Sequence, residues 1–113
     1  MTARRKTKTD LLRGTLDLLI LQTLGLQPLH GIAVADRIQQ VTNGTFQVQA
    51  GSLFPALHRL EQEGWITGEW TTTSEGRRIK AYTLTRAGRK QLATEKQQWD
   101  RIVAAVGQVL ETN

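Results

Sequence analysis

The residues of this chain best suited to chemistry are cations rather than nucleophiles. Arg77, Arg78 and Lys80 follow Gly76 in and after the polar stretch Thr73-Ser74-Glu75-Gly76-Arg77-Arg78. Positive charges clustered on a loop repel one another unless a polyanion or counterions neutralise them. Farther back, Ser52 and Arg59 fall in the run Gly51-Ser52-Leu53-Phe54-Pro55-Ala56-Leu57-His58-Arg59-Leu60, which has helical spacing. A helix start offers free backbone N–H groups to a phosphate, and a serine there either caps the helix or bonds to DNA. Arg59 has the reach and fork geometry for a phosphate or a guanine edge. Arg4, Arg5, Lys6 and Lys8 form a basic arm that could follow a groove or simply stay solvated. The chemistry on offer is polyanion recognition.

Enzymatic alternatives find little support in the same residues. Ser52 lies in Ala50-Gly51-Ser52-Leu53-Phe54, which is not a nucleophile elbow, and no histidine–aspartate partner is discernible. His30 and His58 are the only histidines and there is no cysteine, so neither a metal site, a thiol nucleophile nor a disulfide framework is expected. No glycine-rich phosphate loop occurs. The chain is expected to need no cofactor and not to be an enzyme.

Bulk properties agree. A chain of 113 residues with 39% apolar composition suits one small globular domain, and a net charge of +5 favours an anionic partner. The most apolar segment, Leu16 to Leu26, is interrupted by Asp17, Gln22 and Thr23 and is too short to span a bilayer, and no signal peptide is evident. A soluble, cytoplasmic bacterial protein without membrane contact is expected.

Four helices and a hairpin must position these cations. The spacing predicts a first helix over residues 10–26, with Asp10 as N-cap and Leu12, Leu16, Leu19, Ile20 and Leu24 on its core face. Leu11, Leu18 and Leu21 form a second apolar face that a chain this short has little to cover, which points to another subunit. A second helix over 32–42 presents Ile32, Ala35, Ile38 and Val41, and Thr45 to Val48 reads as a short extended piece. The third helix buries Leu53, Leu57 and Leu60, tolerates Pro55 in its first turn and ends at Gly64. Residues 65–73 and 79–84 read as a β-hairpin with the basic stretch at its tip. Thr85 starts a last helix whose stripe of Leu92, Trp99, Ile102, Val103, Val106, Val109 and Leu110 also needs a partner. The fold class is therefore mostly α with a small β-hairpin. It is a winged helix-turn-helix over 10–84 between a flexible basic arm, 1–9, and a C-terminal dimerisation helix, 85–113.

An ordered set of motifs resembles the PadR family of bacterial transcriptional regulators, which are dimeric winged-helix repressors. Its carriers are Gly14-Thr15-Leu16-Asp17-Leu18-Leu19-Ile20-Leu21, His30-Gly31, Gly51-Ser52-Leu53-Phe54-Pro55-Ala56-Leu57 with Arg59-Leu60-Glu61, and Gly64-Trp65-Ile66. They continue as Gly76-Arg77-Arg78, Lys80-Ala81-Tyr82-Thr83-Leu84-Thr85 and Gly88-Arg89. The resemblance implies a DNA-recognition surface at Gly51, Ser52, Phe54, Pro55 and Arg59, and a wing at Arg77, Arg78 and Lys80. It also implies dimerisation through the first and last helices, by Leu11, Leu18, Leu21, Trp99, Ile102, Val103, Val106 and Leu110. Family members usually carry tyrosine where Phe54 stands, so a hydroxyl contact to a phosphate is missing, and tyrosine is also common where Ile32 stands. The single short last helix is similar to the smaller PadR subtype, some members of which bind planar aromatic compounds between subunits, where Trp99 would stand.

The expected function is that of a homodimeric, sequence-specific regulator, a repressor reading an inverted repeat in double-stranded DNA, with a small aromatic effector as releasing ligand. The rival readings are a nucleoid-type protein that binds DNA without sequence preference and a winged-helix module that binds protein instead.

Overall fold

The computed structural model describes the backbone of residues 8–112 and the side chains of residues 14–112. The chain runs α1 (Lys8–Leu26), β1 (Leu29–His30), α2 (Gly31–Val41), α3 (Ala50–Gln62), β2 (Ile66–Thr72), β3 (Arg78–Leu84) and α4 (Arg86–Glu111). The arm before residue 8 and the side chains of Leu11 and Leu12 lie outside the described residues. Helix α1 starts at Lys8, so Asp10 lies inside the helix rather than capping it.

The core is built by three helices on the inner face of the sheet. Ile20, Leu21 and Leu24 of α1 meet Val34, Ala35 and Ile38 of α2 and Leu53, Ala56, Leu57 and Leu60 of α3, and the sheet adds Ile66, Tyr82 and Leu84. Each helical set keeps three- and four-residue steps, the spacing that puts side chains on one face. Three assignments change. Leu21, expected on the outer face of the first helix, is fully buried in this chain's own core, so its side chain is not available to a second subunit. In α2 the buried face turns on Gly31, Val34, Ala35 and Ile38, leaving Ile32 and Val41 exposed. Residues 45–49 form an irregular connection in which Val48 alone packs on the core and Phe46 is exposed.

The sheet has three antiparallel strands in the order β1-β3-β2. Beyond the expected hairpin, Leu29 pairs with Tyr82 and His30 with Ala81, which ties the start of α2 to the wing. A two-residue strand has too little pattern to announce itself in sequence. In the hairpin Ile66 pairs with Leu84 and Thr72 with Arg78. The tip closes through the Gly76 N–H donating to the Thr73 carbonyl at 2.9 Å and the Thr73 N–H to the Arg77 carbonyl at 2.8 Å, with Gly76 at φ 84°. This turn needs a residue with positive φ before the returning strand, which favours glycine.

Helix ends connect α3 to α4. The Trp65 N–H donates to the Leu60 carbonyl at 3.1 Å and the Gly64 N–H to the Glu61 carbonyl at 3.0 Å, with Gly64 at φ 78°. These two bonds form a Schellman motif that stops α3 as the glycine predicted. Thr85 caps α4 by accepting from the Gly88 N–H at 3.0 Å, while its hydroxyl donates to the Gly64 carbonyl at 2.7 Å. Its own N–H donates to the Trp65 carbonyl at 3.0 Å. One threonine thus joins the end of α3 to the start of α4. Leu92 still packs on the core, but beyond it α4 leaves the body of the domain. No described helix is long and apolar enough to cross a membrane.

Candidate nucleic-acid interface

Helix α3 begins at Ala50, with Gln49 as an N-cap that makes no side-chain capping bond. The Gln49 carbonyl accepts from the Ser52 and Leu53 N–H groups at 3.0 and 2.9 Å. Ser52 is therefore the third residue of the helix and does not cap it. The helix starts earlier than its motif suggested, so Pro55 stands in the second turn rather than the first. Its ring deletes the bond that the Gly51 carbonyl would otherwise accept. Gly51 is exposed, so that carbonyl can be hydrated instead, which limits the usual cost of proline inside a helix.

With Leu53, Ala56, Leu57 and Leu60 turned inward, Gly51, Ser52, Phe54, Pro55, His58 and Gln62 face outward. A Cβ at Gly51 would meet nothing within 4 Å, so the fold itself does not require glycine there. Arg59 is placed differently from its sequence reading. Its guanidinium forms an ion pair with Asp17 of α1, and the two side chains are 32% and 15% exposed. It fastens α3 to α1, and the outward positions pass to Ser52, Phe54, Pro55 and His58.

The wing presents two of its three cations. Arg77 and Arg78 are exposed and have no carboxylate within ion-pair distance among the described residues. The Arg78 guanidinium lies 5.0 Å from the centre of the Trp70 ring, a cation–π distance, and Trp70 is 58% exposed. Lys80, expected at the basic tip, is turned back. Its Nζ is 2.9 Å from Glu61 Oε1 on α3. The Glu61 hydrogen bond holds the Lys80 pKa above its ordinary value, against the opposing effect of burial. Burial raises the Tyr82 hydroxyl, with the nearby Lys80 charge acting the other way.

Helix and wing share one cleft of about 560 Å³, lined on one side by Gly31, Ile32 and Phe54 and on the other by Trp70, Arg77, Arg78 and Lys80. Sequence reasoning passed over Trp70 and Glu61. Trp70 could have been found from the strand register, since it pairs with Lys80. Glu61 carried no local signal, because its partner lies in another element. Among the described residues no group of three or more His, Asp or Glu side chains could hold a metal ion.

The surplus apolar residues lie on α4. Trp99, Ile102, Val103, Val106, Val109 and Leu110 are 43–78% exposed at three- and four-residue steps, and no described residue of their own chain buries them. Leu18 on α1 is half-buried.

Residues 20–94 match the transcriptional regulator PadR-like family. A transcriptional regulator of Mycobacterium tuberculosis is 29% identical over 94 residues, covering 83% of this chain and 84% of the relative. The crystal structure of a PadR family transcriptional regulator from Eggerthella lenta superposes with a TM-score of 0.77 at 31% identity, covering 93% of this chain and 89% of that one. A transcriptional regulator from Clostridium thermocellum has the same fold, with a TM-score of 0.81 at 23% identity over 88% of this chain and 96% of the other. With the winged helix, the wing and the family match in agreement, this chain belongs to the PadR-like family of transcriptional regulators.

Proposed function

We propose that the protein is a homodimeric, sequence-specific DNA-binding repressor in the bacterial cytoplasm. Two copies of α3 enter successive major grooves about 34 Å apart and read an inverted repeat. Gly51, Ser52, Phe54 and Pro55 approach the base edges and adjoining backbone. The uncapped N-terminus of α3 faces phosphate, and Arg77 and Arg78 of the wing hold the flanking backbone. The carrying observation is that Phe54 of α3 and the wing cations Arg77 and Arg78, which pair with no described carboxylate, line one cleft together with Gly31 and Ile32 of α2. Helix α4 supplies the dimer seam through Trp99, Ile102, Val103, Val106 and Leu110, with Leu18 beside it. Trp99 is the contact for a planar aromatic effector between subunits, which changes the spacing of the two α3 helices and releases DNA. That last assignment is supported by the resemblance to the smaller PadR subtype and by the exposure of Trp99.

The test is fluorescence anisotropy with a duplex from the gene's own upstream region against a scrambled duplex. The expected preference is a hundredfold or more at about 150 mM salt, within the usual range for specific regulators. A footprint without two-fold symmetry would remove the inverted-repeat assignment. Equal affinity for duplexes chosen from a random library would favour nucleoid-type binding, and binding insensitive to salt would favour a protein-interaction module. Arg77→Ala and Arg78→Ala should each weaken binding to all duplexes alike and flatten the slope of log affinity against log salt by about one. An unchanged slope in both variants would take the wing off the backbone.

A further inference from the structure

Lys80 is a wing residue whose charge does not face outward. Its ammonium is held between Glu61 Oε1 at 2.9 Å and the rings of Trp70 and Tyr82, 5.7 and 5.5 Å from their centres. The Lys80 and Glu61 side chains are only 25% and 30% exposed. A second observation comes from the opposite strand. A Cβ added at Gly68 would lie 2.3 Å from Lys80 Cε and 3.2 Å from both Lys80 Cδ and Tyr82 Cε1. Glycine in a strand interior weakens it and often marks a close approach. Here the approaching group is the Lys80 stem, which crosses the strand on its way to α3.

The charge pattern agrees with this placement. Glu61 belongs to the helix that would enter the major groove, where an unpaired carboxylate would repel phosphate. Lys80 neutralises it, leaving Arg77 and Arg78 as the wing's outward cations.

We infer that Glu61 and Lys80 are positioning residues, an ion pair cradled by Gly68 that sets the gap between α3 and the wing, rather than groups that touch DNA. The inference rests on the DNA-binding reading above, because the width of the gap matters only if helix and wing engage one duplex together. With the strut in place the wing is ordered before binding. Without it, ordering the wing must be added to the cost of association.

Three variants test the strut: Glu61→Gln, Lys80→Met and Gly68→Ala. Gly68→Ala leaves every charge in place; its methyl group displaces the flexible end of the lysine stem and presses more lightly on the Tyr82 ring. In the free protein, residual dipolar couplings of the amides of residues 73–78 should shrink relative to those of residues 53–60 in all three variants. Couplings equal to the parent's would overturn the strut. With the specific duplex, each variant should lose roughly three- to tenfold in affinity with the salt slope unchanged, and the Glu61→Gln/Lys80→Met double variant should be no worse than either single one. A slope flattened by about one in Lys80→Met would make Lys80 a phosphate ligand. Tighter binding by Glu61→Gln would mean that Glu61 merely repels DNA. Either result overturns the inference. If the parent binds no duplex, the DNA-binding reading fails, and the couplings alone decide the strut.

Discussion

Replacing Val106 and Leu110 together by glutamate is expected to convert the protein from dimer to monomer, with a loss of about 10²–10⁴ in affinity for its operator. Both side chains are exposed in the single chain, at 51% and 78%, so the substitutions remove little from its own core. Glutamate is also a good helix former, and α4 should remain helical. In the proposed seam the situation reverses. Burying an unpaired carboxylate costs several kcal/mol, and four of them would face one another across the two-fold axis. Once the subunits separate, each half-site binds alone and the gain from linking two binding events disappears. Sedimentation equilibrium reads the mass, and anisotropy on the full operator reads the affinity. A variant that keeps the parent's mass would remove α4 as the dimer seam. A monomer with full operator affinity would keep the seam but refute two-helix recognition.

Gly88→Ala should destabilise the fold by about 2–3 kcal/mol, despite alanine's better helix propensity. Gly88 is buried, and a Cβ there would lie 2.0 Å from the Trp65 carbonyl oxygen and 2.7 Å from Leu84 Cδ1. The first obstacle is backbone and cannot rotate away. The same carbonyl accepts the Thr85 N–H, and the Gly88 N–H is the one that Thr85 caps. Moving α4 outward to admit the methyl group therefore strains two bonds of the α3–α4 junction together. Losing the cap alone, as in Thr85→Ala, is worth about 1 kcal/mol. Urea denaturation with the midpoint read by far-UV circular dichroism checks the comparison. A Gly88→Ala midpoint equal to the parent's would mean that the close packing of α4 on the β2 entrance is absent in solution.

These two sites differ in how visible their roles are. The α4 stripe is a local repeat at helical spacing, so its need for a covering surface can be read from consecutive residues. Gly88 gives no such signal. Its constraint comes from Trp65, which reaches it only because the Schellman turn at Gly64 and the Thr85 cap fold the chain back on itself.

The same division runs through the candidate interface. Ser52, Phe54 and Pro55 could be placed outward because the leucine stripe of α3 defines the inward face within four residues of each. The fork of Arg59, the cation cluster around Lys80 and the family resemblance all point to DNA, and nothing local in the sequence marks a carboxylate partner for either residue. In the chain without DNA they pair with Asp17 and Glu61, 42 and 19 positions away. Leu21 was misplaced for a related reason. It sits at the edge of the apolar stripe of α1, where a rotation of the helix decides burial, and that rotation is set by how α1 seats on α2 and α3.

By itself, the sequence determined the number and order of the helices, the hairpin, the stop at Gly64, the cap at Thr85 and the basic wing tip. Each depends on the spacing or turn chemistry of neighbouring residues, which the chain carries wherever it is folded. Only the tertiary structure decided the third strand at Leu29–His30, the burial of Leu21 and the pairing of Arg59 and Lys80 with carboxylates. These depend on which distant surfaces meet. A charged side chain with several competing partners takes the one that packing brings within reach, and no local pattern records that choice.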